Sequence, residues 1–209
     1  MRASFPAGLP VADTLLWLPE QGVGFHTRPA IAYDGEYYRK YAEYDATDLG
    51  VRLTRARLDL VRRHWSGEML DIGIGAGLFV RSADCDGYDV NADAVAWLHE
   101  AGRFRDPYRQ PVEAICCWDS LEHIAEPGLL LEQIQRWLFV SLPIFESAEQ
   151  CLQSKHYRPG EHIWYWTRRG FIAWCERQGF ELVEHNTAES TLGREDIHSF
   201  AFRRRSLPA

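Results

Sequence analysis

The 209-residue sequence has no apolar run near the roughly 20 residues that span a bilayer. Pro6, Pro10 and Asp13 interrupt the stretch where a secretion signal would need an unbroken apolar core. A soluble protein that is not secreted is expected. Cysteines are few: the five (85, 116, 117, 151, 175) form no C-x-x-C pair, and Cys116-Cys117 lie in an apolar stretch that reads as a buried strand. They read as reduced, structural thiols of a cytoplasmic protein. Positive charge is also short. The 23 basic against 30 acidic side chains give a formal net charge of −7, which works against broad attraction to nucleic acid or anionic membrane. A short nucleic-acid end stays open as a partner. What the chain does have, 46% hydrophobic residues with eight Trp, suffices for the core of one compact domain.

No repeat, low-complexity tract or second globular unit interrupts it. Residues 1–30 mix Pro and Gly with apolar residues lacking any period, and read as an irregular arm. Five tyrosines follow (33, 37, 38, 41, 44), of which Tyr33, Tyr37 and Tyr41 share one side of a helix, as a packing stripe or as a lid over a ligand. The division is therefore 1–50 for arm and lid and 51–209 for the main domain. There, Leu53, Ala56, Leu60 and Val61 fill one arc of a helix whose other side carries Arg52, Arg55, Arg62 and Arg63.

Strands are expected over 69–72, up to 90, weakly near 103–105, over 114–118, 138–142, 180–184 and 197–202. Helices alternate with them over 78–84, from Asn91 to Gly102, from Pro127 to Ile134 and from Thr167 to Gly179. This pattern predicts an α/β fold with a doubly wound, mainly parallel seven-stranded sheet and an antiparallel last strand.

Asp71-Ile-Gly73-Ile-Gly75-Ala-Gly77 joins a strand to a helix, where missing Cβ atoms let a ligand approach backbone N–H groups. A dinucleotide loop needs its third glycine at position 78, which is Leu here; S-adenosylmethionine (SAM) loops place it at 77. Asp89, ending the second strand, can accept hydrogen bonds from both ribose hydroxyls. From about 68 to 145 the chain resembles class I SAM-dependent methyltransferases. The resemblance rests on the 69–77 segment, Gly87-Tyr-Asp-Val-Asn91, Cys117-Trp-Asp-Ser-Leu-Glu-His-Ile-Ala-Glu-Pro127 and Phe139-Val-Ser-Leu-Pro143. It implies a Rossmann-like enzyme in which Asp71, Gly73, Gly75 and Gly77 hold the methionine part, Asp89 the ribose and Asp106 the adenine. Val90, Trp118, Asp119 and Tyr37 complete the expected cofactor contacts. The chain lacks an Asn/Asp-Pro-Pro-aromatic motif and a Pro-Cys nucleophile, which disfavours base methylation. No C-x3-C-x2-C site is present for radical chemistry on SAM.

Asp119, Glu122 and His123 stand at i, i+3 and i+4 after the fourth strand, at the sheet edge where ligands bind. With His162 from a polar segment, Lys155 to Thr167, they make a candidate site for Mg²⁺, Mn²⁺ or Zn²⁺. Asp119-x-x-Glu122-His123 followed by Glu161-His162-x-x-x-Trp166-Thr167-Arg168 resembles metal-assisted O-methyltransferases of RNA 3′-terminal ribose and of ubiquinone biosynthesis. A metal-free, hydrogen-bonded turn shaping the pocket is the alternative. Asp119, His123 and His156 are the candidate acid–base groups. The acidic charge favours methyl transfer to an oxygen or nitrogen of a small molecule. A nucleotide or nucleic-acid terminus, contacted by Arg168, Arg169 and Arg203 to Arg205, and a non-catalytic SAM-binding module are the alternatives.

Overall fold

The computed structural model describes residues 9–12, 14–26 and 35–205. Three short strands open the chain: β1 (Leu9–Ala12), β2 (Leu15–Leu18) and β3 (Val23–His26). Helices α1 (Gly35–Asp45) and α2 (Asp48–Arg62) follow, then β4 (Leu70–Ile72), α3 (Leu78–Ala83), β5 (Asp86–Tyr88), α4 (Ala92–Glu100) and β6 (Val112–Trp118). A 3₁₀ turn (Leu121–His123) leads to α5 (Pro127–Glu132), β7 (Ile134–Phe145), α6 (Ala148–Gln153) and β8 (Trp164–Thr167). The chain then runs through α7 (Arg168–Arg177), β9 (Phe180–Asn186), α8 (Ala188–Thr191) and β10 (Ile197–Arg204).

Side-chain caps set several helix starts, because the first N–H groups of a helix have no internal partner. Thr47 accepts from Gly50 N–H at 3.0 Å, Asn91 from Asp93 N–H at 2.9 Å and Thr167 from Gly170 N–H at 3.0 Å.

The central sheet runs β5-β4-β6-β7-β10-β9. Strands β5, β4, β6 and β7 are mutually parallel, while β10 lies antiparallel between β7 and β9. The weak third strand is reduced to one bridge, Gly87 to Phe104. Apolar layers cover both faces, as a parallel sheet requires. Leu60, Val61, Val80 and Leu98 of α2, α3 and α4 pack on one face with Cys116 and Phe139. Leu130, Leu131, Phe171 and Cys175 of α5 and α7 pack on the other with Cys117 and Val140. Adjacent cysteines thus point to opposite faces, and all five thiols are free and buried.

The amino-terminal segment departs from the irregular arm expected for 1–30. Strands β1, β2 and β3 form an antiparallel meander that continues onto β8, which pairs in parallel with the end of β7 at Ile144 and Phe145. The sheet of the described residues therefore has ten strands instead of seven. Leu15, Trp17, Phe145, Cys151 and Tyr165 bury the junction. Among the described residues no helix is long and apolar enough to cross a membrane.

Candidate active site

A cavity of about 830 Å³ opens at the carboxyl ends of β4, β5 and β6, the edge at which doubly wound sheets bind ligands. Asp71, Gly73, Gly75, Asp89, Val90, Trp118, Asp119, His123 and His156 all line it. Gly73 and Gly75 have φ of +74° and +56°, the left-handed region that side chains avoid. A Cβ at Gly73 would stand 2.7 Å from Ser120 Cβ, and one at Gly75 3.4 Å from the Tyr41 ring, so both faces of the loop are closely approached. Gly77 caps α3 and faces Trp97 instead of the cavity.

Asp71 is 1% exposed, and its Oδ1 has no hydrogen-bond partner among the described residues. Burial pushes its carboxyl well above the ordinary range. A buried acceptor left unmade costs about 1–3 kcal/mol, a deficit that a cationic donor on a ligand removes. Burial likewise raises Asp89, whose Oδ1 accepts from Asn91 N–H at 2.8 Å. Asp106 does not line the cavity as expected. It accepts from Tyr108 N–H at 2.9 Å and pairs with Arg109, fixing the turn that brings Tyr108 to the wall beside Tyr88 and Val90. Helix α1 closes the other side through Tyr41, Tyr44 and Asp45, with Asp45 accepting from Leu78 N–H at 3.3 Å. Tyr33 and the side chains of Tyr37 and Tyr38 lie outside the described residues.

Asp119, with φ +54°, is engaged by two guanidinium groups. Arg57 Nη2 donates to Oδ2 at 2.9 Å and Arg194 Nη2 to Oδ1 at 3.0 Å, with Arg194 Nη1 also on Oδ2. Glu189, 1% exposed, completes the network by accepting from both arginines. Burial opposes the charge on Asp119, yet Arg194 and Arg57 outweigh it and hold its pKa at about 2. The Arg57 guanidinium also lies over the Trp118 ring, 5.4 Å from its centroid.

His156 Nε2 donates to the Glu195 carbonyl at 2.9 Å. Burial lowers the pKa of His156 and of His123. Beside the main cavity, a polar recess of about 40 Å³ is lined by Glu122, His123 and His162, among others. One ligand atom from each of these three lies within 4.8 Å of the others. Neither oxygen of Glu122, itself 1% exposed, has a hydrogen-bond partner among the described residues, and nor has His162 Nδ1. Burial raises Glu122, and burial with neighbouring His123 pushes His162 down to about 3. These three groups fit a divalent cation. Asp119, expected as the fourth ligand, does not, because both of its oxygens are held by arginines.

The profile of a family described as methyltransferase domain matches residues 38–185. The chain belongs to this methyltransferase family. No curated protein matches the sequence, but solved structures of the fold do. The magnesium protoporphyrin IX methyltransferase of Synechocystis PCC 6803 with bound S-adenosylhomocysteine is 13% identical, with TM-score 0.56, over 82% of this chain and 94% of that one. A SAM-dependent methyltransferase of Thermotoga maritima is 15% identical, with TM-score 0.58, over 81% and 98%. The glycopeptide N-methyltransferase MtfA complexed with SAM is 13% identical, with TM-score 0.51, over 75% and 87%. The protein is thus a SAM-dependent methyltransferase of the Rossmann-like class.

In this methyltransferase the residues that sequence reading missed are Arg57, Glu189 and Arg194, with Tyr88 and Tyr108 of the far wall. A signal for Arg57 was present: it falls inside the apolar arc of Leu53, Leu60 and Val61, where an unpaired charge is not tolerated. Nothing local in sequence marks Glu189 or Arg194 as its partners.

Proposed function

We propose that the enzyme moves the methyl group of SAM to an oxygen or nitrogen of a small-molecule acceptor held in the same cavity. The observation that carries this reading is the lining of one cavity. Asp71 and Asp89 come from β4 and the end of β5, His123 and His156 from the connections between β6 and β8, and all four line it. Ligand pockets span about 300–1,000 Å³, so a cavity of about 830 Å³ accommodates a cofactor and a modest second molecule together.

In this reading Asp71 receives the ammonium of the cofactor's amino-acid end, Asp89 the ribose hydroxyls, and Val90 with Tyr108 flanks the base. The acceptor's lone pair attacks the sulfonium methyl in line; the C–S bond breaks and its electron pair stays on sulfur, leaving S-adenosylhomocysteine. The acceptor's proton passes to a neutral histidine. His156 is suited to this, because donation from Nε2 to a carbonyl leaves Nδ1 as the basic nitrogen. Binding both reactants in one water-poor pocket supplies most of the advantage.

Glu122, His123 and His162 would hold a divalent cation beside the acceptor, where it would lower the pKa of a coordinated hydroxyl. The mutual 4.8 Å spacing of their ligand atoms supports that second element. A nucleic-acid terminus is less favoured. Arg203 pairs with Glu181, Arg205 with Glu176, and Arg204 donates to the Ile134 and Leu131 carbonyls, and none of the three lines the cavity. Arg168 and Arg169 do not line the cavity.

The test is transfer of labelled methyl from SAM to size-separated fractions of a cell extract, followed by mass spectrometry. Label in the small-molecule fraction is the expected result; label confined to nucleic acid or protein overturns the proposal.

A further inference from the structure

The cavity wall carries charges of both signs: the carboxylates of Glu43, Asp45, Asp71, Asp89 and Asp119, and the cations Arg57, Lys155, Arg158 and Arg194. The four cations are of two kinds. Arg57 and Arg194 are bound to Asp119 and Glu189 in a buried network with their charges matched. Lys155 and Arg158 are held only by exposed partners: Lys155 by Glu195 at 3.3 Å, with side chains 57% and 77% exposed, and Arg158 by Glu161 at 2.9 Å, with side chains 41% and 36% exposed. Exposed pairs of this sort contribute about 0–1 kcal/mol, so exchanging their carboxylates for another anion costs little. An anion bound in the cavity by these cations gains charge-assisted hydrogen bonds, which are the stronger kind.

We propose that Lys155 and Arg158 recognise an anionic group, a carboxylate or a phosphate, on the methyl acceptor. The inference rests on the small-molecule reading above and narrows it to acidic acceptors. Both cations belong to the segment that leads into β8, and His156 lies between them. An acceptor anchored there by its anion presents its remaining atoms to His156 and to the methyl group. The overall charge of −7 would otherwise repel such a molecule. A local cationic wall is the means by which an acidic protein can bind an acidic substrate.

The experiment uses the full chain saturated with S-adenosylhomocysteine and three phenyl-bearing probes: benzoate, phenyl phosphate and neutral benzamide. Calorimetry or ligand-observed NMR gives their affinities for the wild type and for Lys155→Gln/Arg158→Gln. At least one anion should bind tenfold or more tightly than benzamide, and the preference should shrink with salt and vanish in the double variant. Which anion wins separates carboxylate from phosphate acceptors. Equal binding of the three probes, binding of none, or a preference that survives the double substitution overturns the inference. S-adenosylhomocysteine should bind wild type and variant alike. If the wild type fails to bind it, the reading of the cavity falls and this inference with it. Equal probe binding beside normal cofactor binding overturns this inference alone.

Discussion

Arg57 and Glu189 meet in a two-point ion pair that ties α2 to α8. Nε lies 2.8 Å from Oε1 and Nη2 lies 2.9 Å from Oε2, with Glu189 only 1% exposed. Asp119 and Arg194 complete the set, so two arginines and two carboxylates form one network. Removing one member leaves a buried charge uncompensated, which typically costs about 3–5 kcal/mol. Arg57→Ala should destabilise the fold by that order, read from the urea midpoint at constant slope. A loss below about 1 kcal/mol would show the network to be dispensable.

Asp89→Ala should weaken SAM binding by about 1–3 kcal/mol, because the carboxylate proposed to hold the ribose is lost. Asp71→Asn should weaken it comparably through loss of the ammonium partner. Titration calorimetry with SAM and S-adenosylhomocysteine measures both. Unchanged affinity in both variants would contradict the assigned cofactor end.

Helix α1 covers the glycine loop through Tyr41 and Asp45, and we propose that it tightens as a lid when SAM binds. Amides of residues 35–45 should then exchange more slowly in the complex than in the free protein. Hydrogen exchange read by mass spectrometry decides this. Equal protection in both states would make the tyrosines ordinary packing.

The pH dependence of stability should carry a signature of Glu184. Hydrogen bonds from Arg63, His64 and Asn186 lower its pKa from the ordinary 4.5 to about 2. A carboxyl whose pKa is lower in the folded state stabilises the fold above its unfolded pKa and loses that contribution as pH falls through the folded value. The loss should fall between about pH 4.5 and 2. Glu184→Gln should flatten the curve of unfolding free energy against pH in this window; an unchanged curve would remove Glu184 from the account.

If, as proposed, Glu122, His123 and His162 hold a cation, excess chelator and His162→Ala should each abolish turnover while sparing SAM affinity, and elemental analysis should find about one divalent ion per chain. Full activity in chelator together with metal-free protein would return Glu122 to the role of a protonated, buried turn residue.

Much of the fold was legible because it is written in local pattern. The glycines at 73, 75 and 77, the acid at 89, the alternation of strand and helix, and the absence of a helix between the final strand pair each sit within a short window. Cap chemistry did the same at Asn91 and Thr167. The amino-terminal meander was not legible, since β1, β2 and β3 are four residues each and join the sheet only through the pairing of β3 with β8 far along the chain. Asp119 illustrates the same boundary within the site. Its position after β6 follows from sequence, but its role depends on arginines 62 and 75 residues away. Periodicity reports which face of an element is buried; only chain closure decides which charges that burial brings together. The sequence by itself therefore determined the parallel centre of the sheet with its antiparallel last pair, and the glycine loop. The tertiary structure alone placed Arg57, Glu189 and Arg194 around Asp119, taking it out of the expected set of metal ligands and leaving Glu122, His123 and His162 together in a recess.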